Sequence, residues 1–112
     1  MKNRDHHPLV SIGVPAYNGE KYLEECLESI KNQTYSNWEC VICNNASTDQ
    51  TPVIAEKYVQ SDPRFKLFHT AELLPITDNW NFCFSKISQH SEYFKLLPAD
   101  DWIYPEFISK MV

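Results

Sequence analysis

Two aspartates, Asp100 and Asp101, follow the apolar run Tyr93-Phe94-Lys95-Leu96-Leu97 and the turn residues Pro98-Ala99. Adjacent carboxylates are hard oxygen donors suited to Mg²⁺ or Mn²⁺, ions that usually complete their shell with water and ligand phosphates. A cation held there would neutralise a diphosphate. Two further polar clusters also stand at the ends of apolar runs. Pro15-Ala16-Tyr17-Asn18 comes after Leu9–Val14, and Tyr17 offers a flat face to a nucleotide base. Asn44-Asn45-Ala46-Ser47 comes after Trp38–Cys43, and either Asn44 or Asn45 can both donate to and accept from a base edge. Each cluster also has an ordinary structural reading, with Asn18 as a helix cap, Asn44 to Thr48 as turn residues and the acidic pair as loop polarity.

Other phosphate-binding designs are excluded by glycine. The 112-residue chain has two glycines, whereas a G-x-G-x-x-G fingerprint needs three. Gly13 and Gly19 are also wrongly spaced for a Walker A loop, and Glu20 stands where that loop needs Lys.

The elements that must carry these clusters alternate. Leu9–Val14 reads as a short buried strand, Trp38–Cys43 as a second, mostly apolar one, and Phe65–Phe68 and Tyr93–Leu97 as a third and a fourth strand. Between them, helices are expected from an Asn18 cap to about Asn32, from Thr51-Pro52 to Asp62, and from Thr77 to about Ser88. The apolar positions of the third helix include Trp80, Phe84 and Ile87, and Pro105 opens a fourth helix. The order β-α-β-α-β-α-β-α predicts an α/β fold: an open, mostly parallel, Rossmann-like sheet with helices on both faces. In such a sheet ligands bind beyond the carboxyl ends of the strands, where all three clusters fall. Residues 1–8 read as a polar extension and 9–112 as the folded part. The final helical pattern lacks a capping glycine, and the expectation is the front part of a larger domain.

Ten basic against fifteen acidic residues give a net charge of −5, which argues against nucleic acid as a partner. Cys40 and Cys43 have C-x-x-C spacing, but no second Cys or His pair stands at zinc-ligand distance. Cys26, Cys40, Cys43 and Cys83 are read as small buried hydrophobes, with Cys40 and Cys43 on opposite strand faces. No apolar run is long enough to span a membrane and the start is no signal peptide, so the expected location is cytoplasmic. Peripheral attachment to an inner membrane face would require segments outside this sequence.

The stretch Val10-Ser11-Ile12-Gly13-Val14-Pro15-Ala16-Tyr17-Asn18-Gly19-Glu20-Lys21-Tyr22-Leu23 resembles the opening of the family 2 glycosyltransferases with the GT-A fold. Ser29–Tyr35, Asn45-Ala46-Ser47-Thr48-Asp49 and Asp62-Pro63-Arg64-Phe65 continue the resemblance in order. Tyr93–Asp101 is similar to the family's strand leading into its D-x-D-like motif. The resemblance implies inverting transfer of a sugar from a UDP-, dTDP- or GDP-sugar to a carbohydrate or lipid-linked acceptor hydroxyl, as in polysaccharide synthesis. It implies that Pro15, Ala16, Tyr17 and Asn18 line the base and ribose pocket and that Asn44 and Asn45 stand at the base-reading positions. Asp100 and Asp101 match the carboxylates that hold the divalent cation, Asp100 also touching the donor. Asn44 departs from a common Asp, and Pro98 replaces the first acid of D-x-D. The family's catalytic base lies downstream of the acidic motif, beyond Val112, so none is assigned here. Asp78 is expected at a helix N-terminus near the edge of the donor site. The alternatives are a catalytically inactive nucleotide-sugar-binding or interaction module, and a receiver-like phosphoacceptor domain. The latter needs its acid pair after the first strand, where Pro15-Ala16 stands.

Overall fold

The computed structural model describes residues 7–112. Most of the polar extension, residues 1–6, lies outside the described residues. His7 and Pro8 are tied down: the Asn37 side-chain amide donates to the His7 carbonyl and the Tyr35 hydroxyl to the Pro8 carbonyl.

Four strands form one parallel sheet in the order β3-β2-β1-β4: β1 (Val10–Ala16), β2 (Trp38–Asn44), β3 (Phe65–His69) and β4 (Tyr93–Leu96). Every residue of β1 and β2 is buried, which is why both read as nearly continuous apolar runs. One face carries Val10, Ile12, Val14, Trp38, Cys40 and Ile42. It packs on α1 (Leu23–Lys31), α2 (Thr51–Ser61) and α4 (Phe107–Met111) through Leu23, Leu27, Ile30, Ala55, Tyr58 and Ile108. The other face carries Val41 and Cys43 and is covered by α3 (Ile76–Ser85) through Cys83. Cys40 and Cys43 thus lie on opposite faces, and all four cysteines are buried free thiols.

Gly13 sets how closely α3 approaches. A Cβ at this position would lie 3.0 Å from the Phe94 ring and 3.3 Å from the Cys83 Cβ. Gly13→Ala is therefore expected to cost about 1–3 kcal/mol by overpacking, read as a lower midpoint in urea unfolding.

Three expectations need correction. Asn18 does not cap α1, which begins at Leu23 after a turn; the N-cap residue is Tyr22 and makes no side-chain cap bond. The third helix ends at Ser85 rather than Ser88. Its buried residues are Asn79 and Cys83, while Trp80 is 38 % and Phe84 58 % exposed. The physical reason lies in the sheet face beneath it: Ser11, Gly13 and Pro15 of β1 leave room for small side chains and close approach. Phe84 instead lies edge-on to Phe94, ring centroids 5.1 Å apart.

The stretch after the acidic pair is pinned to α1. Buried Gln33 donates to the carbonyls of Ser29 and Tyr104 and accepts from the Ile108 N–H. No helix among the described residues is long and apolar enough to cross a membrane.

Candidate functional site

The strand order reverses direction between β1 and β4, and at this switch point a parallel sheet opens a crevice beyond its strand ends. Past β4 the chain keeps following β1: Leu97 N–H donates to the Gly13 carbonyl and Ala99 N–H to the Pro15 carbonyl. That registry delivers Asp100 and Asp101, both exposed, to the rim beside Pro15-Ala16-Tyr17. Asp101 Oδ1 accepts from the Trp102 N–H at 2.9 Å. Both carboxylates act on Cys26 of α1. Burial, then the charges of Asp101 and Asp100, push its thiol up to about 12, so it stays protonated at ordinary pH.

A cavity of about 210 Å³ occupies the crevice, and Pro15, Ala16 and Tyr17 wall it on one side with Pro98 beside them. Asn45 contributes from the end of β2, and Ile76, Asn79 and Trp80 from the first turns of α3. Tyr17 is 52 % exposed, leaving a ring face open to a ligand. Larger concavities of about 640 Å³, between α2 and β3, and about 600 Å³, along α1, are open surface grooves. Neither includes a residue from the three polar clusters.

The first two clusters brace one another. Asn18 and Ala46 both adopt left-handed backbone, φ 47° and 51°. Asn18 N–H donates to Ser47 Oγ while Asn18 Oδ1 accepts from the Thr48 N–H at 2.8 Å. Gly19 N–H donates to Thr51 Oγ1 and Glu20 N–H to Asp49. Burial raises the Asp49 carboxyl, but the Thr51 hydroxyl and N–H and the Glu20 N–H outweigh it and hold the group below its ordinary value. Asn18 is thereby a cross-link between loops and lies at the rim, not among the cavity-lining residues.

Asn44 and Asn45 are also engaged within the protein. Asn44 donates to His69 Nδ1 at 3.0 Å and accepts from the Ser47 N–H. Asn45 Nδ2 donates to the Leu74 carbonyl, while its Oδ1 accepts from the Leu74 N–H and the Thr70 hydroxyl. Asn45 lines the cavity; Asn44 does not. Asp78 sits exposed in the first turn of α3 and is not among the lining residues.

Asn79, Trp80 and Ile76 enter the site without having been singled out for it in the sequence. The signal that could have found them is positional. In a strand-helix-strand unit the helix N-terminus lies at the same end as the carboxyl ends of the strands, so first-turn residues of α3 belong to the rim.

Among the described residues no group of three or more His, Cys, Asp or Glu side chains could hold a metal ion by itself. The acidic pair suits a cation that takes its remaining ligands from phosphate and water, as Mg²⁺ commonly does.

Residues 11–112 match the family described as glycosyl transferase family 2. An uncharacterized glycosyltransferase of Haemophilus influenzae is 39 % identical over 108 residues, covering 94 % of this chain and 32 % of that protein. The chain therefore spans about a third of the length of that relative. Among solved structures, S. aureus TarS 1-349 in complex with UDP-GlcNAc is similar with TM-score 0.81 and 29 % identity, over 91 % of this chain and 29 % of TarS 1-349. The mannosyltransferase PcManGT from Pyrobaculum calidifontis, in complex with GDP-Man and Mn²⁺, is similar with TM-score 0.76 and 27 % identity, over 86 % of this chain and 28 % of that one.

Proposed function

Because the chain belongs to glycosyl transferase family 2, we propose that it forms the donor-nucleotide part of an enzyme that moves a sugar from a nucleoside diphosphate to an acceptor hydroxyl with inversion. The observation that carries this reading is the cavity at the β1/β4 switch point, walled by Pro15, Ala16 and Tyr17, with Asp100 and Asp101 on the same rim.

In this reading the base enters the cavity, with the open Tyr17 ring beside it and Pro15-Ala16 as an apolar wall. The acidic pair faces the diphosphate. Asp100 and Asp101 would hold a divalent cation that, when bound, offsets the charge growing on the departing diphosphate. The hydrogen-bonded frame of Asn18, Ser47, Thr48 and Thr51 keeps the base wall in place before the donor arrives, so little ordering is left to binding. In an inverting transfer the acceptor oxygen forms the new bond at the anomeric carbon as the bond to the diphosphate breaks. The acceptor proton passes to a carboxylate base, which is not assigned to any described residue.

The similar structures that bind UDP-GlcNAc and GDP-Man support a nucleotide-sugar donor, and PcManGT with Mn²⁺ supports a divalent cation. Titration calorimetry of the chain with UDP, dTDP, GDP and CDP in Mn²⁺ tests the reading. At least one nucleotide is expected to bind; none bound by demonstrably folded protein would overturn it.

A further inference from the structure

The base-reading positions read from the sequence, Asn44 and Asn45, have their amide oxygens bonded to the protein. The acceptor left over is elsewhere. Asn79, 3 % exposed on α3, lines the same cavity, and its Oδ1 has no hydrogen-bond partner. Its Nδ2 donates to the Cys43 carbonyl at 3.4 Å. That contact sets the amide's orientation, since the reverse would set two oxygens against each other. A buried acceptor without a donor is costly, and a ligand N–H supplied at that point recovers the cost.

We infer that Asn79 reads the nucleotide base, its Oδ1 accepting the ring N–H that uracil and thymine carry between their two carbonyls; this rests on the donor-site reading above. Cytosine and adenine present a bare ring nitrogen on the corresponding edge, so each would set acceptor against acceptor. Guanine carries a ring N–H as well, so this contact admits it alongside uracil and thymine. Oδ1 itself is shut off from solvent, so a lining side chain must move before the base can reach it. Ile76 and Trp80, 69 % and 38 % exposed, are lining side chains with room to turn.

The test is calorimetry on the chain in Mn²⁺ with UDP, CDP and 3-methyl-UDP, the last lacking the ring N–H. UDP is expected to bind about tenfold more tightly than CDP or 3-methyl-UDP. Asn79→Leu should weaken UDP about tenfold and bring UDP and CDP within about twofold of each other. Asn79→Asp, which keeps an oxygen, should retain the preference. Equal binding of UDP, CDP and 3-methyl-UDP by the unsubstituted protein would overturn the inference even if neither variant folds. A preference for UDP that survives Asn79→Leu would overturn it too, leaving Asn79 a structural role. In each of these cases UDP still binds and the donor-site reading stands; no nucleotide bound at all removes both.

Discussion

Replacing Asp100 and Asp101 together by asparagine should abolish the gain that Mn²⁺ brings to nucleotide binding. In Mn²⁺, UDP affinity is expected to fall on the order of 100-fold, about 2.7 kcal/mol. Two charge-assisted contacts at roughly 1.5–3 kcal/mol each are ample for that loss. In chelator the sign changes. The diphosphate then meets two exposed carboxylates on a protein of net charge −5, and like charges repel. Removing both negative charges should leave UDP binding equal to, or tighter than, that of the unsubstituted chain. Both carboxylates are exposed at the rim, so the fold should tolerate the change. A drop of the same size with and without Mn²⁺ would mean that the pair supports the loop rather than a cation.

The second large effect lies at the opposite end of the sheet. Glu39, near the start of β2, is 4 % exposed and accepts from the Ser11 hydroxyl, the Ser88 N–H at 2.7 Å and the Lys66 ammonium at 2.8 Å. It ties β1, β2 and β3 to the chain leaving α3. Glu39→Ala is expected to cost about 2–4 kcal/mol, chiefly by orphaning the Ser11 and Ser88 donors at ~1–3 kcal/mol each. Lys66 contributes less, because its half-exposed side chain can return to water. Burial alone would raise the Glu39 carboxyl, but Lys66, Ser11 and Ser88 together hold it below its ordinary 4.5. A carboxyl lowered by folding contributes stability above its unfolded value, and that stability fades as pH falls through the folded one. The deficit of Glu39→Gln, measured by urea unfolding, should therefore be constant from pH 7 to about 5.5 and shrink as pH drops below 4.5. A deficit independent of pH down to 3 would contradict the charged network.

The first two strands were legible because β1 and β2 are buried on both faces and so carry nearly continuous apolar runs. The alternation with helices then implied a parallel sheet and a rim at the strand ends. What the sequence could not show is long-range bonding. Asn18 looks like a helix cap by local rules, yet its partners, Ser47 and Thr48, lie 29 and 30 residues away. Asn45 has the chemistry to read a base, but Leu74 and Thr70 occupy its amide oxygen. In α3 the large apolar positions, Trp80 and Phe84, are not the buried ones. The sheet beneath it, with Gly13 in β1, instead admits Asn79 and Cys83 and leaves Trp80 to the cavity.

We propose that the nucleotide sits in the crevice between the ends of β1 and β4. Amide chemical-shift mapping of the ¹⁵N-labelled chain titrated with UDP tests it most directly, first with Mg²⁺ and then with trace Mn²⁺. The largest shifts are expected at Ala16, Tyr17, Asn45, Asn79 and Trp80, with Mn²⁺ broadening centred on Asp100 and Asp101. Shifts concentrated instead on Val53, Glu56, Lys57, Gln60 and Leu67, in the larger groove beside α2, would contradict it.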